Sequence, residues 1–125
     1  TAMAGAAQYF LAGVVSYSNE SKRDILGVRM ADIVQYGAVS EEVARQMAEG
    51  VRRITGSDYA LATTGIAGPG GGSEAKPIGT VWMALATPTA TYAQMRNSGN
   101  DRGQVISRAT AYALDMLYDE LKKRD

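Results

Sequence analysis

The glycine-rich connection from Ala62 to Trp82, ATTGIAGPGGGSEAKPIGTVW, has the composition of a binding device, with Thr63 and Thr64 at its entrance and Lys76 at its exit. Gly65, Gly68, Gly70, Gly71 and Gly72 add nothing to a core, and each costs backbone entropy when ordered. Such a loop brings backbone N–H groups close to something, and a nest of donors suits a phosphate, a carboxylate or a developing oxyanion. The spacing fits neither a Walker loop nor GxGxxG, so neither ATP nor a dinucleotide follows. The alternative is a long turn between two strands, with Lys76 as a loop-closing charge.

A second constellation pairs Tyr17, at the C-terminal end of an apolar run, with Lys22 in the first turn of the helix that follows. Open α/β sheets bind ligands at such ends. The partial positive charge of a helix N-terminus favours a neutral amine, which could act as a base; the other reading is a solvated lysine beside a half-buried tyrosine. Arg102, in GNDRGQ, is either a rim arginine near a helix start or a planar fork for an anion.

The absences narrow the chemistry. There is no histidine, so any proton transfer falls to Lys, Tyr, Asp or Glu, and a Ser-His-Asp triad within the chain is excluded. There is no cysteine, hence no disulfide, thiol nucleophile or thiolate metal site; cytoplasm is the default compartment. Thirteen basic and thirteen acidic residues cancel, which argues against a nucleic-acid surface, and no run is long enough to span a membrane. Asp24, Asp32 and Asp58 do not form a set at metal-ligand spacing, so no metal is expected.

The elements that must position these residues follow from periodicity. GVVSY, Gly13 to Tyr17, predicts a short buried strand, followed by a helix from Glu20 to Leu26 capped by Ser18 or Asn19 and closed by Gly27. A helical turn is expected over Ala31 to Gln35. Ser40 caps a helix to Ile54, with Val43, Ala44, Met47, Val51 and Ile54 on one face. Strands are expected at Tyr59–Thr63, Gly79–Ala86 and Thr89–Arg96, the second buried on both faces and the third nearer an edge. A polar loop over Asn97 to Asp101 precedes a helix from Gly103 to Lys122, with Val105, Ile106, Ala109, Ala113, Met116, Leu117 and Leu121 inward. Trp82, Met47, Met83 and Met116 read as core or subunit-interface residues. The predicted fold is α/β: one layered α/β/α domain over residues 1–125 with a mixed sheet, at least one pair being antiparallel across Pro88.

Three blocks, GVVSYSNESKRDILGV from Gly13 to Val28, GAVSEEVARQMAEG from Gly37 to Gly50, and TTGIAGPGGGSEAKPIGTVWMALAT from Thr63, resemble the C-terminal domain of the CinA family (competence/damage-inducible protein) in order and spacing. The resemblance runs from Thr1 to about Leu121, and the family includes nicotinamide mononucleotide deamidases. It implies a cofactor-free amidohydrolase acting on a pyridine mononucleotide by a Ser-Lys mechanism. Lys22 falls on the lysine of the family's YSNxxK motif, the proposed activator of the serine, and Tyr17 falls on the motif tyrosine. Thr64 matches the hydroxyl residue before GIAG, placed to hold the serine or the oxyanion. Asn19, Gly65, Gly68 and Arg102 are the implied substrate-binding residues, Arg102 through the family's GDR motif. Where the family carries a second arginine, this chain has Ile106, with Arg108 in the following turn. In the family the nucleophile lies in an AES(C/S)TGG motif within a helix and strand preceding this point, so the chain is expected to be a domain truncated at its N-terminus. Ser16, Ser18 and Ser21 do not sit in that motif. Exposed core surface would then favour a homo-oligomer, with a dimer expected. The alternative function is a catalytically silent nucleotide-binding or assembly domain.

Overall fold

The computed structural model describes residues 1–123. After a 3-10 turn at Ala6–Gln8 come α1 (Asn19–Asp24), α2 (Met30–Tyr36), α3 (Glu41–Thr55), β1 (Ala60–Gly65), β2 (Thr80–Ala86), β3 (Thr91–Asn97) and α4 (Arg102–Lys122). The sheet order is β1-β2-β3, and both pairings are antiparallel, with Thr64 opposite Trp82 and Met83 opposite Gln94.

Alternation along the strands assigns the two faces. Ala60, Ala62, Ala84 and Ala86 face α3, packing with Val43, Ala44, Met47 and Ala48 and with Leu26, Val28 and Ile33. Val81 and Met83 face the other way, against Val105, Ala109 and Ala113 of α4. Helices therefore cover both faces of the sheet, giving the layered α/β/α arrangement. Burying a Leu, Met or Val side chain at such a position stabilises the fold by about 1.5–3 kcal/mol. None of the helices among the described residues is long and apolar enough to cross a membrane.

Several expectations are corrected. Among the described residues the sheet is antiparallel throughout and not mixed, because Gly13–Tyr17 forms no ladder with β1 or any other strand. Its valines favour a pleated surface only when a partner strand is present; here Val14 is half-buried while Val15 and Tyr17 are exposed. Ile54, Ile106 and Leu121, placed inward by periodicity, are 49%, 53% and 42% exposed. Ile106 borders an open cleft, and Ile54 and Leu121 stand in the last turns of α3 and α4.

The caps fix the helix starts. The Oγ atoms of Ser18 and Ser40 accept from the N–H groups of Ser21 and Val43, and the Asp101 carboxylate accepts from Gln104 N–H. Helix α1 has only six residues and cannot be stable alone. It is held from outside: Arg53 Nη2 donates to Leu26 O at 3.2 Å, and Gly50 of α3 lies directly against the same carbonyl. A Cβ on Gly50 would fall 2.0 Å from Leu26 O, backbone against backbone. Gly50→Ala is therefore expected to lower stability by about 1–3 kcal/mol in denaturant unfolding, as overpacking does. Gly70→Ala, where no atom lies within 4 Å of the added Cβ, serves as the near-neutral control.

Candidate functional site

A cleft of about 510 Å³ opens between the segment before α1, the α2–α3 connection, the end of β1 and the first turns of α4. Tyr17, Asn19, Lys22, Thr64, Gly65 and Arg102 all line it. Gly68 does not line it, but its carbonyl accepts from one of the lining side chains, Arg102.

Lys22 is 6% exposed. Its Nζ donates to Ser16 O at 2.8 Å and reaches Tyr17 O at 3.5 Å, and among the described residues no Asp or Glu lines the cleft. Burial holds the lysine pKa below its ordinary value of 10.5. The cause is desolvation by burial, and Lys22 stands in the last turn of the six-residue α1. A neutral amine has two N–H donors and one lone pair; with one N–H on Ser16 O and the Tyr17 carbonyl only at the edge of hydrogen-bond range, a lone pair remains for the cleft. This is the arrangement of a base.

Thr64 is buried, and its Oγ1 donates to Ala38 O at 2.9 Å. Its proton is committed, which leaves the oxygen to accept a hydrogen bond. The turn that presents Ala38 is fixed by Gly37, at φ 84°, and by Ser40 Oγ, which donates to Gly37 O at 2.8 Å. Tyr17 turns its ring outward, 81% exposed, so that its backbone carbonyl faces Lys22 while its hydroxyl faces Arg102. Arg102 Nη1 donates to Gly68 O at 3.0 Å and Nη2 reaches the Tyr17 hydroxyl at 3.4 Å. Asn19, the first residue of α1, is exposed at the mouth.

The base of the glycine-rich loop is closed on itself. Ile66 N–H donates to Thr80 O at 2.9 Å and Gly79 N–H to Ile66 O at 2.8 Å, so these amides serve the loop and not a ligand. Lys76 Nζ donates to Tyr36 O at 2.5 Å, tethering the loop to the end of α2. Sequence reasoning missed the carbonyls of Ser16 and Ala38, which orient Lys22 and Thr64. A backbone acceptor carries no residue-type signal. Among the described residues, no group of three His, Cys, Asp or Glu could hold a metal ion.

Two outcomes test this geometry. Because the folded pKa of Lys22 is depressed, the unfolded chain binds the extra proton between that value and 10.5, and stability attributable to Lys22 rises with pH across that window. Lys22→Met should remove this rise, read as unfolding midpoint against pH. Thr64→Val leaves the Ala38 carbonyl without its side-chain donor, and urea unfolding should show a loss of about 1–3 kcal/mol.

Residues 1–121 match the family described as the CinA C-terminal domain. A CinA-like protein of Shewanella loihica is 52% identical over 123 residues, covering 98% of this chain and 29% of that protein. A putative competence-damage inducible protein of Thermoanaerobacter pseudethanolicus is 45% identical over 117 residues, 94% of this chain and 28% of its own length. The chain thus spans less than a third of the length of these relatives. The crystal structure of competence damage-inducible protein A from Klebsiella pneumoniae superposes with a TM-score of 0.92 at 36% identity, over 97% of this chain and 75% of that one. A CinA superfamily protein of Escherichia coli gives 0.89 at 33% identity, over 94% and 68%. The lysine cleft and the helix-covered sheet therefore sit in a chain that belongs to the CinA C-terminal domain family.

Proposed function

We propose that this domain hydrolyses the carboxamide of nicotinamide mononucleotide, giving the acid mononucleotide and ammonia. The observation that carries this reading is the buried amine of Lys22, anchored on Ser16 O and lining a cleft that has no carboxylate among the described residues. In the proposed reaction the neutral amine takes the proton of a serine hydroxyl, and the serine oxygen attacks the carboxamide carbon. The tetrahedral oxyanion collapses, the C–N bond breaks, and the Lys22 ammonium returns its proton to the departing nitrogen, which leaves as ammonia. Water then hydrolyses the acyl-serine to a carboxylate. Thr64 Oγ1, with its own proton on Ala38 O, lines the same cleft as Lys22 and leaves the single proton of the serine hydroxyl to the amine. Arg102 takes the phosphate through its planar fork.

This reading takes the nucleophile from outside these 125 residues. Ser18 Oγ caps α1, Ser21 Oγ donates to Ser18 O at 2.8 Å, and Ser16 Oγ is buried with no hydrogen-bond partner among the described residues. The same observation favours a second reading, in which the chain by itself only binds an anionic nucleotide.

Ammonia release from nicotinamide mononucleotide by this domain, assayed alone and together with a segment that supplies the serine, discriminates between them. Lys22→Ala should reduce kcat by about 10²–10⁴-fold, the usual worth of a general acid–base group. Arg102→Ala should act mainly on KM. No release from the unsubstituted protein at any pH would leave the binding reading standing.

A further inference from the structure

Arg102 joins three separate parts of the cleft mouth. Helix α4 supplies the guanidinium, the glycine-rich loop supplies the buried Gly68 carbonyl, and the segment before α1 supplies the Tyr17 hydroxyl. The two bonds are unequal. Nη1 holds Gly68 O at 3.0 Å, whereas Nη2 reaches the phenol oxygen at 3.4 Å, beyond the usual N–H···O range, on a ring that is 81% exposed. Both acceptors are neutral, and among the described residues no carboxylate lines the cleft to compensate the charge. The edge formed by Nε and Nη2 is therefore only weakly used, while the Nη1 corner is anchored to the loop.

We propose that Arg102 is a ligand-closed clasp: a phosphoryl group takes the Nε/Nη2 edge from Tyr17 while Nη1 remains on Gly68 O, so that binding an anion locks the glycine-rich loop over the cleft. Charge-assisted bidentate bonds are roughly twice as strong as neutral ones, so the exchange at the Tyr17 edge runs in favour of the anion. A guanidinium fixed by an anion on one edge is a more rigid donor to Gly68 at the other. The loop is built to respond, because its base is already closed by Ile66 and Gly79, and Lys76 pins its far side to α2. Between these fixed points Gly68 is the attachment that depends on Arg102. By reciprocity, whatever binding does for the loop, an ordered loop does for binding. The inference rests on the reading of Arg102 as the phosphate group's partner, and it assigns Tyr17 the part of a displaceable acceptor.

Amide hydrogen exchange over residues 66–79 of the 125-residue chain, with and without saturating inorganic phosphate, tests this, with binding followed separately by chemical-shift perturbation. Phosphate is expected to slow exchange within the loop about fivefold or more, a typical coupling strength. Tyr17→Phe should keep the slowing, since only the displaced acceptor is gone. Arg102→Ala and the charge-retaining Arg102→Lys, which has no fork to span both sites, should lose it. Phosphate binding that leaves loop exchange unchanged, or slowing that survives in both Arg102 variants or vanishes in Tyr17→Phe, would overturn the clasp alone. Absence of any phosphate binding would overturn both the clasp and the reading of Arg102 beneath it.

Discussion

The account depends on one interaction: a lysine amine taken out of water and set on the carbonyl of Ser16, with that of Tyr17 nearby. An ammonium buried without a carboxylate is costly, and the cost falls if the amine gives up its proton. The lining of the cleft leaves that cost in place, since among the described residues its two charged side chains, Lys22 and Arg102, are both basic. A site of this kind is poised to accept a proton inside and an anion at its mouth. Those two properties follow from the same omission of acid.

Holding the amine there requires structure well beyond the cleft. Six residues of α1 cannot maintain themselves, so its position is set by the Lys22–Val28 turn, where Val28 N–H donates to Lys22 O at 3.0 Å, and by the anchoring of Leu26 on α3. Leu26 and Val28 are almost fully buried, and they bring the turn into the same apolar cluster as Val43, Ala44 and Met47. Gly50 permits the approach, because any side chain there would push the Leu26 carbonyl away. Stability of the α3 face and placement of the base are thus one problem. On the opposite side of the cleft, α4 is seated by Val105, Ala109 and Ala113 on Val81 and Met83, which places Arg102 at the start of the helix beside the glycine-rich loop.

Much of this was legible in the sequence, and the parts that were not share a cause. The Ser40 cap, the apolar periodicity of α3 and the near-continuous apolar run of β2 each carry a local signal, and each element lies within a residue or two of its predicted bounds. The cluster of Tyr17, Asn19, Lys22, Thr64, Gly65 and Arg102 was legible only through motif resemblance, because positions separated by up to 85 residues show no periodic relation. What failed was whatever depended on a partner. The Gly13–Tyr17 run has strand composition but no strand beside it among the described residues, and Ile54, Ile106 and Leu121 have core composition but are about half exposed. The acceptors for Lys22 and Thr64 are main-chain carbonyls, and these depend on backbone course alone.

The most direct test is a heteronuclear NMR titration of the Lys22 side chain in the folded protein, assigned by comparison with Lys22→Met. The account predicts that this amine loses its proton below 10.5, the direction set by its burial. A midpoint at or above 10.5 would contradict it, since it would mean that the cleft stabilises an ammonium and offers no base.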